Sequence, residues 1–124
     1  MSVLTEINTL GDWLLYEEHP PSLCREEGTL ASGQNLVSGT VLSLGSGGTW
    51  SAFIDDDGTF GTAEGILIHS VDATSGALPC VVLVRGPAIV SKSGLTWHAD
   101  NDATEEGIGL AALLALGIVA REGV

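Results

Sequence analysis

Two dense aliphatic runs, Gly65-Ile66-Leu67-Ile68-His69 and Cys80-Val81-Val82-Leu83-Val84-Arg85, constrain this chain more than any other feature. Each is short and apolar at consecutive positions, a pattern that suits a strand buried on both faces. A turn separates them, and Gly86-Pro87 punctuates the second, because proline cannot donate to a strand ladder. The pair is expected at the centre of a sheet.

The surrounding residues share this β grammar. Thr29 to Ala31, Thr40 to Leu44, Thr49 to Ile54, Ala88 to Val90 and Leu95 to Trp97 read as further short strands. Ser32-Gly33-Gln34-Asn35, Gly45-Ser46-Gly47-Gly48 and Asp55-Asp56-Asp57-Gly58 read as the turns between them. One helix is expected, from Thr104 to Leu116. Asp102 is placed to cap it, Glu105 stands at the reciprocal capping-box position, Glu106 suits the positive end of the dipole, and Gly117 stops it. Ile108, Leu110, Ala111, Ala112, Leu113, Leu114, Ala115 and Leu116 leave that helix almost no polar face, so it is expected to be buried nearly all round. A domain this small can hardly surround it, and a subunit interface over its outer face follows as an expectation, with Ile108, Leu110, Leu113 and Leu114 as the interface residues. Ile118-Val119-Ala120 returns as a strand.

A length of 124 residues, 44% of them hydrophobic, fits one domain with a real core. Sixteen acidic residues against four basic ones give a net charge of −12, which repels phosphate backbones and anionic lipid surfaces and argues against nucleic acid as a partner. The longest apolar run, near Ile108 to Ala120, is short of a membrane span, and the N-terminus lacks the basic region of a secretion signal, so synthesis in the cytosol is expected. Cys24 and Cys80 read most simply as reduced, small apolar side chains, a disulfide between them being the alternative.

Residues 1–27 differ in character and read as an arm. Leu4, Ile7, Leu10, Trp13, Leu14 and Tyr16 alternate with acidic residues, Gly11 interrupts any helical turn, and Pro20-Pro21 prevents helix continuation before Leu23. Trp13 and Tyr16 are the expected anchors on a partner, since aromatic side chains dominate contact energy where a flexible segment docks, whereas Trp50 and Trp97 read as core. Ordering about 25 backbone residues costs at least ~25 kcal/mol, equivalent to hiding on the order of 1,000 Å² of apolar surface. Only a broad protein surface offers that much.

No catalytic constellation emerges. His19, His69 and His98 with Asp100 or Asp102 show no ligand-pair spacing on one element. Asp55-Asp56-Asp57 lacks the spaced acids and terminal Glu of a calcium loop, and the Gly45 to Gly48 loop lacks the Lys-Ser/Thr and helix of a phosphate cradle. A nucleophile elbow is absent.

Taken in order, Gly33-Gln34, Gly39-Thr40-Val41-Leu42, Ala63-Glu64-Gly65-Ile66-Leu67, Val71-Asp72-Ala73-Thr74, Val82-Leu83-Val84-Arg85-Gly86 and Leu113 to Arg121 resemble the head decoration proteins of tailed phages, over residues 27–121. The resemblance implies a homotrimer on the outer surface of the mature capsid at local three-fold positions, a rivet and not an enzyme, without a cofactor. It also implies that the N-terminal arm adds to strands of the major capsid protein and holds neighbouring capsomers against the pressure of packaged DNA. Leu4, Ile7, Leu10, Trp13, Leu14, Tyr16, Pro20 and Leu23 are the expected capsid-binding residues of that arm.

The expectation is thus a mainly β (α+β) protein: residues 1–27 as a capsid-binding arm, and residues 28–124 as a small barrel- or sandwich-like domain with one apolar C-terminal helix. The alternatives are a small β-barrel binding module, a metal-dependent enzyme using His69, His98 and Asp55 to Asp57, and a soluble assembly chaperone absent from the finished particle.

Overall fold

The computed structural model describes residues 13–17, 24–45, 47–54, 61–99 and 101–122. Within them lie ten strands, β1 (Leu14–Glu17), β2 (Arg25–Leu30), β3 (Asn35–Leu36), β4 (Val41–Leu44), β5 (Trp50–Ala52), β6 (Gly65–Leu67), β7 (Val71–Asp72), β8 (Leu78–Leu83), β9 (Ala88–Ser91) and β10 (Ile118–Arg121), and one α-helix, α1 (Ala103–Ala115). The fold is mainly β, as expected from the sequence.

Five strands close a barrel in the order β2-β5-β4-β6-β8. Antiparallel ladders carry most of it, and the parallel pair Leu30–Trp50 between β2 and β5 completes the ring. Beside the barrel, β9 is the middle strand of a second sheet, antiparallel to β1 and parallel to β10. β3 and β7 form a two-stranded ribbon.

The aliphatic runs at β6 and β8 are apolar at consecutive positions because the barrel wall separates two cores. Leu30, Leu42, Trp50, Leu67, Cys80 and Val82 come from all five barrel strands and fill its interior. Their neighbours Val41, Ile66 and Leu83 point the other way, into a second cluster with Trp13, Phe53, Ala88, Val90, Leu113 and Ile118. Successive residues of a strand face opposite sides, so each wall strand serves both cores at once.

Several boundaries differ from the sequence reading. β2 begins at Arg25, four residues before the expected strand and inside the segment read as an arm, because its polar Arg25, Glu26 and Glu27 pair in register with Leu83, Val82 and Val81 of β8. Leu95 to Trp97 contribute only an isolated bridge, Thr40 to Thr96. The Asp55 to Gly58 turn lies outside the described residues.

Helix α1 starts as expected. The Asp102 carboxylate accepts from the Glu105 backbone N–H at 2.9 Å, and the Glu105 side chain accepts from the Asp102 N–H at 2.8 Å. Just before the cap, the buried Asn101 amide donates to the Phe53 carbonyl at 2.8 Å, tying the helix start to the barrel side. The helix ends where Gly117 takes the left-handed conformation, φ +91°.

Within the single chain its burial is one-sided. Only Gly109 and Leu113 are buried within the chain, with Leu110 and Ala112 half-buried, so α1 is not enclosed all round. A helix laid on one side of a barrel has a single layer to pack against. At the contact, Trp97 and Phe53 meet edge to face with centroids 6.2 Å apart, and Gly109 leaves room for both rings.

Cys24 and Cys80 are both free and both buried, one in each core. Burial pushes the Cys80 thiol up from its ordinary value and away from the reactive thiolate. Neither thiol is expected to react with an aromatic disulfide reagent in the native protein, and both should react after unfolding in guanidinium. Native-state labelling of either would contradict this packing.

Candidate functional site

The residues expected to carry binding divide into three groups. Leu4, Ile7, Leu10, Pro20 and Leu23 lie outside the described residues. Trp13 and Leu14 belong to the folded domain. Tyr16 stands on the surface, 47% exposed.

Trp13 corrects the expectation of a partner anchor. Its side chain is fully buried, its indole Nε1 donates to Ser38 Oγ at 2.8 Å, and its carbonyl accepts from the Ser91 N–H at 2.6 Å. A side chain committed to its own core offers nothing to a partner surface. Leu14 pairs with Val90 of β9 and packs half-buried on the same cluster. The Arg25 guanidinium then grips the Glu17 carboxylate with two hydrogen bonds, one of 3.0 Å from Nε to Oε2, and joins the end of β1 to the barrel.

Sequence pattern alone missed this because Trp13 immediately precedes a short strand, β1, whose partner strand lies more than seventy residues away. The available signal was local: Trp13-Leu14-Leu15-Tyr16 has the composition of a strand.

The expected interface residues on α1 also separate. Ile108 and Leu114 are exposed, at 49% and 58%, as are Leu116 and Val119. Leu110 lines a groove of about 220 Å³ with Lys92, Ala111, Leu114, Val119 and Ala120. Leu113 is buried in the chain's own core and so cannot face a second subunit.

Residues suggestive of chemistry do not converge. Among the described residues, no group of three His, Cys, Asp or Glu side chains could hold a metal ion. His19, Asp55 to Asp57 and Asp100 lie outside them. His69 borders a shallow groove of about 280 Å³ with Glu27, Gly28, Val71, Pro79, Cys80 and Val81, where burial raises the Cys80 thiol above its ordinary value. Among the described residues, no helix is long and apolar enough to cross a membrane.

What the geometry presents is therefore a β scaffold with apolar residues exposed at β1 and along α1 and β10. A family model described as the bacteriophage lambda head decoration protein D matches residues 3–118. The chain belongs to this family. The match takes in most of residues 1–27 as well as the barrel and the helix. Head decoration proteins are structural components of the phage head, and a decoration role on the head follows for this member. No curated protein matches the chain.

Proposed function

We propose that this protein is a capsid cement: a homotrimer seated at local three-fold positions on the outer surface of the mature head. It is made in the host cytoplasm, binds the major capsid protein and stabilises the shell against the pressure of packaged DNA. The observation that carries this reading is the family match across nearly the whole chain.

Two further features support it. A net charge of −12 disfavours contact with packaged DNA, which suits the outside of the shell. The exposed side chains of Ile108, Leu114, Leu116 and Val119 are apolar residues that a second copy of the chain would cover. With Trp13 in the core, the proposed capsid-binding residues are Leu4, Ile7 and Leu10, with Tyr16, Pro20 and Leu23 as further contacts. An extended segment docks by adding a strand to an exposed edge while its side chains fill pockets, and several linked segments bind with avidity beyond one.

Removing residues 1–12 is expected to leave the circular dichroism, the melting temperature and the oligomeric state intact while abolishing co-sedimentation with capsids lacking the protein. A truncated protein that still bound them with full affinity would contradict the assignment of this segment.

A further inference from the structure

Four basic side chains stand against sixteen acidic ones, and three of the four are committed within the chain. Arg25 pairs with Glu17, Arg85 with Glu26, and Lys92 with Glu122 at 3.3 Å. Arg121 makes no ion pair among the described residues and stands exposed at the end of β10. Among the described residues β10 is an edge strand, paired with β9 alone, and the exposed Val119 lies two residues before Arg121 on the same face.

Glu27 supplies the complement. It is exposed on β2, makes no ion pair among the described residues, and borders the groove of about 280 Å³ whose apolar walls include Val71, Pro79 and Val81. The seam between β6 and β8 runs as far as the bond from the Ile68 N–H to the Val81 carbonyl, 2.9 Å. Val71 and Asp72 then pair with β3 instead, and Pro79 has no N–H with which to continue the ladder, so a gap opens beside it. An apolar trough with a carboxylate on its rim suits a long cationic side chain, whose methylenes lie on the apolar wall while its charged end meets the acid. Of the chain's own cations, Arg121 is the one left to fill it.

We propose that this groove receives Arg121 of the partner subunit, so that Glu27 and Arg121 form an ion pair across each interface of the trimer. This rests on the reading of the protein as a homotrimer. The two halves of the contact lie on different parts of the molecule: Arg121 on the β10 edge of the second sheet, and the groove in the barrel wall at β2 and β8, where the Arg25–Glu17 pair ties β2 to β1, the opposite edge of that sheet. A site on one side and its ligand on another make a head-to-tail contact, the kind that closes into a ring of three.

Charge reversal on each side tests this in the full chain, with the oligomeric state followed by sedimentation velocity over a dilution series. Glu27→Arg and Arg121→Glu should each raise the concentration at which half of the trimer dissociates by about tenfold or more. The double variant, in which the pair is restored with its signs exchanged, should return to within about threefold of the natural chain. Both side chains are exposed, so the far-ultraviolet circular dichroism of all three variants should match the natural chain. Glu27→Arg also lowers the net negative charge, which by itself would favour assembly, so a weaker trimer in that variant reports the lost pair and not general repulsion.

Single variants that assemble as the natural chain does would overturn the proposal. So would singles that dissociate without recovery in the double variant, because the two residues would then meet other partners. An unchanged trimer whose Glu27→Arg form no longer co-sediments with capsids would overturn it as well, and would turn the groove toward a cation of the shell. A natural chain that is monomeric at every concentration would instead overturn the homotrimer reading on which the proposal stands, so the two failures are distinct.

Discussion

Trp13→Ala is expected to lower the unfolding free energy by about 3–5 kcal/mol, the range for truncating a fully buried large aromatic side chain. The residue is 0% exposed, in a cluster with Val41, Ile68, Ala88, Val90 and Ile118 that joins the second sheet to the barrel. Most of the cost is lost contact and the cavity left behind. The lost indole hydrogen bond adds less, because Ser38 Oγ keeps its bond to the Ile68 carbonyl and the Ser38 N–H keeps its bond to Ser70 Oγ. Urea unfolding followed by circular dichroism would read this as a lower midpoint at an unchanged slope. An anchor held on the surface for a partner would behave differently: its truncation would change stability by less than about 0.5 kcal/mol.

Gly86→Ala is expected to be at least as damaging, about 3 kcal/mol or more, and to reduce the yield of folded protein. A methyl group at Gly86 would stand 1.9 Å from the Gly117 carbonyl oxygen, 2.5 Å from its carbon and 2.8 Å from the Ala88 nitrogen. All three are backbone atoms, so no side chain can swing aside. Overpacking that side chains can absorb costs typically 1–3 kcal/mol, and here the backbone itself must part. The crossing holds two hydrogen bonds, Gly86 N–H to the Leu116 carbonyl at 2.9 Å and Ala88 N–H to the Gly117 carbonyl at 3.3 Å. Parting it would pull the end of α1 and the start of β10 away from β9. Gly76→Ala is the control, because nothing lies within 4 Å of a Cβ there, and its effect should stay within about 0.5 kcal/mol. Equal melting temperatures for the two variants would contradict the close crossing.

Both predictions concern places where local pattern and long-range packing part company. The helix was legible because its signals are local: Asp102, Glu105 and Gly117 act within a few residues of the backbone they cap. The runs at β6 and β8 were legible as doubly buried strands, since consecutive apolar residues demand apolar surroundings on both faces. What the pattern could not convey was the reason, a closed barrel with one core inside and another outside, because strand order depends on pairings such as Leu30 with Trp50 that leave no mark in sequence spacing.

The N-terminal segment shows the same limit from the other side. Arg25, Glu26 and Glu27 look like solvated arm residues, yet their backbone is claimed by β8. Trp13 looks like a displayed aromatic, yet a serine 25 residues on and a glycine beside it form its socket. On α1, the apolar composition was read correctly as more than one chain can bury, but which residues face inward depends on where the barrel lies. That choice takes Leu113 into the core and leaves Ile108 and Leu114 outside.

The central claim, that this chain is a stoichiometric part of the finished head, is tested most directly by quantitative mass spectrometry of purified virions, counting the chain against the major capsid protein. Near-equal copy numbers are expected of a protein that fills the three-fold positions of the shell. Absence from purified particles, or a few copies per head, would contradict a decoration role.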